Sequence, residues 1–341
     1  MANATIRDVA RAASVSVASA SRALSGHAAV LPATRARIQE AARSLDYVPH
    51  AGARSLSMAR AHAIGVVLPD LHGEFFSEFV RGMDREAYAR GFHLLLSNMH
   101  ADPAQAAAAL GTMRGRVDGL AIMAPGIAAD LLAASLPRAL PVVLINTPDI
   151  GGHPALRVEN RAAVATMMRH LIDTGRRAIV HIAGPRGNID ADARREGFVQ
   201  AMATAGLGAR VIDGDFHEEA GAGAARLLLA ESAEVDAVFA ANDMMAIGCL
   251  LAFRAAGVDV PRRIAVAGFD DIPAARYVFP SLTTMRVDIA ELGARAVARL
   301  ADAISGGPGG TRDAPRPVLI ARASTGAAVV DIKQANRKGK G

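Results

Sequence analysis

The chain has 341 residues, of which 51% are hydrophobic and 21% charged, with a net charge of +5. That length exceeds a usual single domain and carries ample apolar surface, so one small domain and one or two larger ones are expected in a globular, soluble protein. The longest apolar stretches, such as those at 63–69 and 237–241, fall far short of a membrane span, and no N-terminal apolar run precedes a cleavage site. A cytoplasmic location with no membrane partner is therefore expected. The single cysteine, Cys249, lies in the apolar run MMAIGCLLAF with no second thiol to pair, so a buried, inert thiol is expected, with no disulfide, zinc site or cofactor implied.

In chain order, the first informative stretch is TIRDVARAASVSVASASR at 5–22. Thr5, with Asp8 three residues on, predicts the start of a helix. Ile6, Val9, Ala10 and Ala13 recur at helical spacing, Ser14-Val15-Ser16 interrupts the pattern, and Ala20, Ala23 and Leu24 resume it. Helix, three-residue break and helix make a helix-turn-helix. With Ala20, Ala23 and Leu24 facing inward, Val17, Ala18, Ser21 and Arg22 project from the opposite face, where a recognition helix would meet the major groove. Charge supports this reading: residues 1–60 hold eight arginines against Asp8, Glu40 and Asp46, a net of +5 equal to that of the whole chain. The tail 331–341 carries a net +3, which leaves a slight acidic excess between the two ends.

A third helix is predicted from Pro32, with Ile38, Ala41, Ala42 and Leu45 at helical spacing, ending near Asp46-Tyr47. The next segment, PHAGARSLSM at 49–58, is long enough for two helical turns but short and interrupted by Gly52. Alone it should be mostly unfolded. It reads either as a plain linker or as a helix that forms only against a partner, which could couple the head to the rest.

From residue 62 the pattern alternates between strands and helices. Apolar strands are predicted at 64–68, 93–97, 119–123, 142–145, 179–183, 237–240 and 264–267, with helices such as 75–90, 161–174 and 193–205 between them. This is repeated βαβ winding, with enough chain for two parallel sheets side by side. Ligands in such folds sit beyond the carboxyl ends of the strands. That singles out 70–76, Asn98, Asn146, 184–194, Asn242-Asp243 and Asp270-Asp271.

The segments TIRDVARAASVSVASASRALSG, Thr34-Arg35, Tyr47-Val48-Pro49, ARSL at 53–56, FAANDMMAIG at 239–248, VAGFDD at 266–271 and PSLTT at 280–284 resemble, in this order, the successive signatures of the LacI/GalR family of bacterial transcription regulators. The resemblance implies an N-terminal all-α helix-turn-helix domain over 1–48 and a hinge helix or linker over 49–61. It also implies an α/β core of the periplasmic-binding-protein type I fold over 62–330, followed by a basic tail at 331–341. The core would consist of two doubly wound parallel-sheet subdomains joined by three crossing strands. Their expected extents are about 62–160 plus 290–318, and 161–289 plus 319–330.

Carried over by position, the family's base-reading side chains fall on Val17, Ala18 and Arg22, with Thr5, Ser16, Ser21, Thr34 and Arg54 as further DNA contacts. Leu56 matches the hinge leucine that wedges into the minor groove. Val17 and Ala18 offer only apolar contact, such as with a thymine methyl, while Arg22 can bond a guanine in bidentate fashion. His50 stands where the family often has an asparagine at the hinge start, and Leu31 where many members have a Ser or Thr cap, offset by Pro32.

For the small-molecule site, the family pattern maps onto Phe75, Phe76, Asn146, Arg194, Phe216, Asn242 and Asp270. These supply aromatic faces for a ring and carboxylate, guanidinium and amide groups for adjacent hydroxyls. A sugar or sugar derivative is expected, with a purine or nucleoside as the alternative. An enzyme on the same core is set aside because no G-x-x-x-x-G-K-[ST], H-E-x-x-H or G-x-S-x-G motif occurs. The resemblance thus implies a repressor controlled by an effector, acting as a homodimer on pseudo-palindromic double-stranded DNA.

Overall fold

A computed structural model describes residues 4–24, 29–47, 60–100, 102–153, 155–231, 234–307 and 314–326. The hinge segment with His50, Arg54 and Leu56, and the basic tail, lie outside the described residues.

The head contains α1 (Ile6–Ala12), α2 (Val17–Leu24) and α3 (Pro32–Ser44). Its core is Val9, Ala10, Ala13, Ala20, Ala23, Ile38, Ala41 and Ala42 of the predicted apolar set; Ile6 and Leu24 are only partly buried against it, and Leu45, just past the end of α3, is exposed. Because most of the core residues are alanines, the helices can approach closely, but each residue removes little apolar surface from water. Polar caps add to this small core. Asp8 Oδ2 accepts from Thr5 N at 2.9 Å and from Thr5 Oγ1 at 2.6 Å, which draws the Asp8 carboxyl below its ordinary pKa. Ser14 makes the turn in the left-handed region at φ 53°.

The first lobe of the core begins with β1 (Ala63–Leu68), α4 (Glu74–Ala89) and β2 (His93–Asn98). It continues through α5 (Pro103–Met113), β3 (Gly119–Met123), α6 (Ala129–Ser135), β4 (Val142–Ile145) and β5 (Ala155–Leu156). Its five strands are parallel in the order β2-β1-β3-β4-β5. All six residues of β1 are buried. Ile64, Val66 and Leu68 pack with Phe79 and Met83 of α4 on one face, while Ala63 and Val67 pack with Leu110 and Met113 of α5 on the other. A strand covered on both sides must be apolar throughout, which is why it reads as an unbroken hydrophobic run. β2 departs from that pattern: it is an edge strand, and Leu95 and Leu96 are exposed.

The second lobe contains α7 (Asn160–Asp173), β6 (Ile179–Ile182), α8 (Ile189–Thr204) and β7 (Arg210–Ile212). It continues with α9 (Glu218–Ala230), β8 (Ala237–Ala240), α10 (Asp243–Ala255) and β9 (Ala265–Ala267). Its sheet is parallel in the order β7-β6-β8-β9. β10 (Thr284–Arg286) and β11 (Val318–Ile320) form an antiparallel pair. Between them α11 (Ile289–Ile304) returns to the first lobe and crosses α4. Each lobe has a helix crossing made by glycine. A Cβ on Gly82 would lie 1.8 Å from the Ala290 carbonyl oxygen, and one on Gly293 2.3 Å from that of Phe79. In the second lobe a Cβ on Gly221 would lie 1.9 Å from the Met245 carbonyl oxygen, and one on Gly248 2.0 Å from that of Glu218. Cys249 sits at this second crossing, its thiol donating to the Gly221 carbonyl at 3.0 Å and pushed up by burial to about 12. That thiol is buried, as expected.

Candidate functional site

Two surfaces follow from this fold. On the head, Val17, Ala18 and Arg22 are exposed along one side of α2 and Ser21 is half-buried beside them. Thr5 is exposed and Thr34 half-buried. Ser16 has a structural duty: its Oγ accepts from Ser19 N at 3.1 Å, capping α2. The arginines divide by role. Arg35 donates to the Ala23 carbonyl and Arg37 to that of Ala13, satisfying the ends of the two preceding helices. Arg11 pairs with Asp8 and Arg43 with Glu40. Arg7 and Arg22 remain exposed without such partners among the described residues.

The second surface is a cleft of about 420 Å³ between the lobes, within the size range of small-ligand sites. It is built from loops that follow strands of both lobes, and Phe75, Phe76, Asn146, Arg194, Phe216, Asn242 and Asp270 all line it. Phe75 and Phe76 enter from the first turn of α4, their rings edge to face at 5.3 Å. Phe216 comes from the opposite lobe, and its ring lies so close over Gly184 that a Cβ there would stand 2.4 Å from Cζ. Asn146, Phe216 and Asp270 take positive φ of 43°, 75° and 113°. Such conformations cost energy in residues bearing a Cβ and persist where the surroundings impose them.

Arg194 anchors the floor. Its guanidinium carbon lies 3.8 Å from the centroid of the Phe269 ring, Nε donates to Asn160 Oδ1 at 2.8 Å, and Nη1 donates to the Ala241 carbonyl at 2.5 Å. Nη2 is left facing Asp270 Oδ1 at 3.5 Å. That oxygen has no hydrogen-bond partner among the described residues, although Asp270 is buried. Burial pushes the Asp270 carboxyl up to about 7; Arg194 opposes the shift and the nearby Asp190 adds to it. Asp190 is itself raised by burial, partly offset by Arg194 and by the hydrogen bond from Asn160 Nδ2 at 2.7 Å. A buried carboxylate oxygen without a donor is an acceptor held ready for a ligand hydroxyl.

Asn146 divides its amide between structure and cleft, whereas both amide atoms of Asn242 make structural bonds, contrary to the expectation of an amide offered to the ligand. Asn242 Oδ1 caps α10 by accepting from Met245 N at 3.0 Å, and Nδ2 donates to the Phe216 carbonyl at 2.9 Å. It therefore positions Phe216. Asn146 Oδ1 accepts from Val158 N at 3.3 Å, and its Nδ2 has no partner among the described residues. Asp271, next to Asp270, plays a structural part instead. Its carboxylate takes Arg286 Nε at 2.7 Å and Arg322 Nη2 at 2.5 Å, tying β10 to the segment after β11.

The cleft also holds residues that no sequence pattern assigns, including His100, Asp215 and His217. Asn188, Asp70 and His72 fall in the loops beyond strand ends and Asp190 in the first turn of α8, within the stretches where ligands are expected but without being individually predicted. These polar residues lack a motif of their own. Local signals are the N-cap pattern at Asn188, whose Oδ1 accepts from Asp190 N and Ala191 N, and the turns closed by the Asp70 and Asp215 carboxylates.

The family description "Bacterial regulatory proteins, lacI family" matches residues 5–50, and "Periplasmic binding protein-like domain" matches 168–325. The ribose operon repressor of Escherichia coli is 35% identical over 301 residues, 86% of this chain and 91% of that protein. The chain belongs to the lacI family of bacterial regulatory proteins. A second family member, the HTH-type transcriptional repressor PurR of Pectobacterium carotovorum, is 33% identical over 89% of this chain and 91% of its own length. Among solved structures, the lac repressor dimer bound to operator and the anti-inducer ONPF has a TM-score of 0.83 at 25% identity. That likeness covers 95% of this chain and 99% of the other. The transcriptional regulator CelR–cellobiose complex has a TM-score of 0.69 at 29% identity, covering 94% and 99%. The head and the two-lobed core of this chain are thus those of a DNA-binding LacI-family regulator.

Proposed function

We propose that this protein is a cytoplasmic repressor that binds a pseudo-palindromic operator as a homodimer and is controlled by a neutral sugar held between the lobes. The observation that carries the effector reading is the charge of the cleft. Asp70, Asp190, Asp215 and Asp270 line it against the single guanidinium of Arg194. A lining with four acidic side chains, two of them raised by burial, and one guanidinium disfavours a sugar phosphate and suits a ligand rich in hydroxyls, with the unpartnered Asp270 Oδ1 and the half-used Arg194 fork as an acceptor and donor pair. Phe75 and Phe216, from opposite lobes, would flank the apolar faces of the ring. The cellobiose complex of CelR and the ribose operon repressor are family relatives whose names point the same way.

In this reading the head spans 1–48, the hinge 49–61 and the core 62–330. Thr5, Ser16, Val17, Ala18, Ser21, Arg22 and Thr34 face DNA from the head, with Arg54 and Leu56 in the hinge. Closure of the lobes on the sugar changes the spacing of the paired hinges, and the ligand acts through its differential affinity for the two arrangements. Catalysis plays no part.

The deciding experiment selects bound sequences from a random duplex library at fixed salt, then titrates the winner with wild type, Arg22→Ala and Leu56→Ala. An enriched palindrome bound more weakly by each variant supports the reading, and for Arg22→Ala the lost bidentate base contact predicts a loss of about tenfold or more. Neutral sugars, their phosphates and purine bases are then added in turn. A response to phosphates or purines and not to neutral sugars would replace the effector assignment while leaving the DNA reader intact.

A further inference from the structure

At the rim of the cleft, His72 from the loop after β1 meets His217 and Glu218 at the start of α9. His72 Nε2 lies 3.2 Å from Glu218 Oε2, and the two imidazole rings lie 4.9 Å apart at 45°. One nitrogen from each histidine and one oxygen from Glu218 all fall within 4.8 Å of one another, the only such group of three among the described residues. Both loops are pinned through the backbone: Asp70 Oδ1 accepts from His72 N, and Asp215 Oδ1 from His217 N. The side chains remain accessible, with His72 half exposed. His217 stands at the N-cap of α9 yet makes no capping bond with its side chain.

We infer that His72, His217 and Glu218 form a site for a borderline divalent transition-metal ion such as Zn²⁺, which clasps the two lobes across the mouth of the cleft. Two imidazoles and a carboxylate are donors that such ions prefer, whereas Mg²⁺ and Ca²⁺ favour all-oxygen shells. Tetrahedral coordination with bonds of about 2.0–2.2 Å sets donor atoms roughly 3.4 Å apart, close to the 3.2 Å already present for one pair. Rotation of exposed side chains closes the remainder. A simple His72–Glu218 ion pair accounts for two of the three groups but gives no role to His217. Because one ligand belongs to the first lobe and two to the second, the ion binds fully only when the lobes are together, so it favours that arrangement. Three protein ligands leave a coordination position open, which water or an effector hydroxyl can fill.

Metal binding here depends on the two loops and not on the identity of the sugar. Full-length protein freed of metal with a chelator is titrated with Zn²⁺ against a chromogenic competitor, and separately with Co²⁺ while its visible absorption is recorded. The expected result is one tight ion per chain, weakened at least about tenfold by His72→Ala and by His217→Ala. Glu218→Gln, which preserves side-chain shape, should weaken binding likewise and serves if either alanine variant fails to fold. Small-angle scattering should show Zn²⁺ making wild type more compact but not Glu218→Gln. The metal site is overturned if wild type binds no ion more tightly than about millimolar, or if His72→Ala/His217→Ala binds like wild type. The clasp is overturned if Zn²⁺ binds at these residues without compaction.

Discussion

Asp270 is strained in φ, buried and short of a hydrogen-bond donor, all within one residue. Its folded pKa of about 7 lies above the ordinary 3.8, so over that interval the fold holds a proton that the unfolded chain has released. The stability it contributes is full below about pH 4 and is lost as pH rises towards 7. A sugar hydroxyl donates more strongly to an ionised carboxylate than to the neutral acid, so sugar affinity should increase as pH rises through about 7. Asp270→Asn should flatten that profile and lower affinity at least about tenfold, while raising Tm at alkaline pH. Calorimetric titration and thermal melts across that range check both parts; a variant with weaker binding and an unchanged pH profile would remove Asp270 from the contact. His181 shows the opposite sign. Enclosed between the Phe198 and Phe239 rings, it donates from Nδ1 to the Phe239 carbonyl at 2.9 Å, and burial pushes it down to about 3 from 6.5. Stability should therefore fall as pH drops from about 6.5 towards 3, because the unfolded chain takes up a proton that the fold refuses. His181→Phe should make acid unfolding less steep.

At the level of elements, the head and the core are held by different means. The alanine core of the head buries little surface, so its caps matter more. Ser16→Ala should cost about 1 kcal/mol of head stability, read in thermal unfolding of the head without DNA, with no change in sugar binding. The core relies on close helix crossings. A methyl at Gly82 would overlap the Ala290 carbonyl at 1.8 Å, so Gly82→Ala must separate α4 from α11 and should destabilise the first lobe by about 1–3 kcal/mol or more. Since α4 also delivers Phe75 and Phe76, sugar affinity should fall with stability. A denaturant titration with the sugar present and absent separates the two effects.

For the whole molecule, exposed apolar groups occur on both lobes: Tyr88, Leu95 and Leu96 on the first, and Leu251, Tyr277 and Phe279 on the second. An exposed apolar side chain is a candidate for burial between copies, and two copies related by a two-fold axis would present two heads to two half-sites. Leu96→Glu should convert the dimer to a monomer in sedimentation and weaken operator binding sharply, with sugar binding preserved because Leu96 does not line the cleft. A dimeric Leu96→Glu would move the interface elsewhere.

Much of this protein is legible from residue order alone because its signals are local. The capping pair at Thr5 and Asp8 and the buried alanine spacing of the head follow from helical period, and the unbroken apolar strands follow from burial on both faces. The seven cleft residues come instead from the family resemblance; six of them also fall in the stretches just after strands, where such folds bind ligands, and Phe216 does not. The short strands β5, β7, β10 and β11 are not legible, since two or three residues carry no period. Nor can residue order distinguish Asp270, facing the cleft, from Asp271, holding arginines, because consecutive residues have opposite surroundings only once the chain is folded. The meeting of His72 with Glu218, 146 residues further on, is likewise a product of two lobes brought face to face. Spacing along a chain encodes neighbours within a helix or strand, and only long-range packing decides which loops share a cleft.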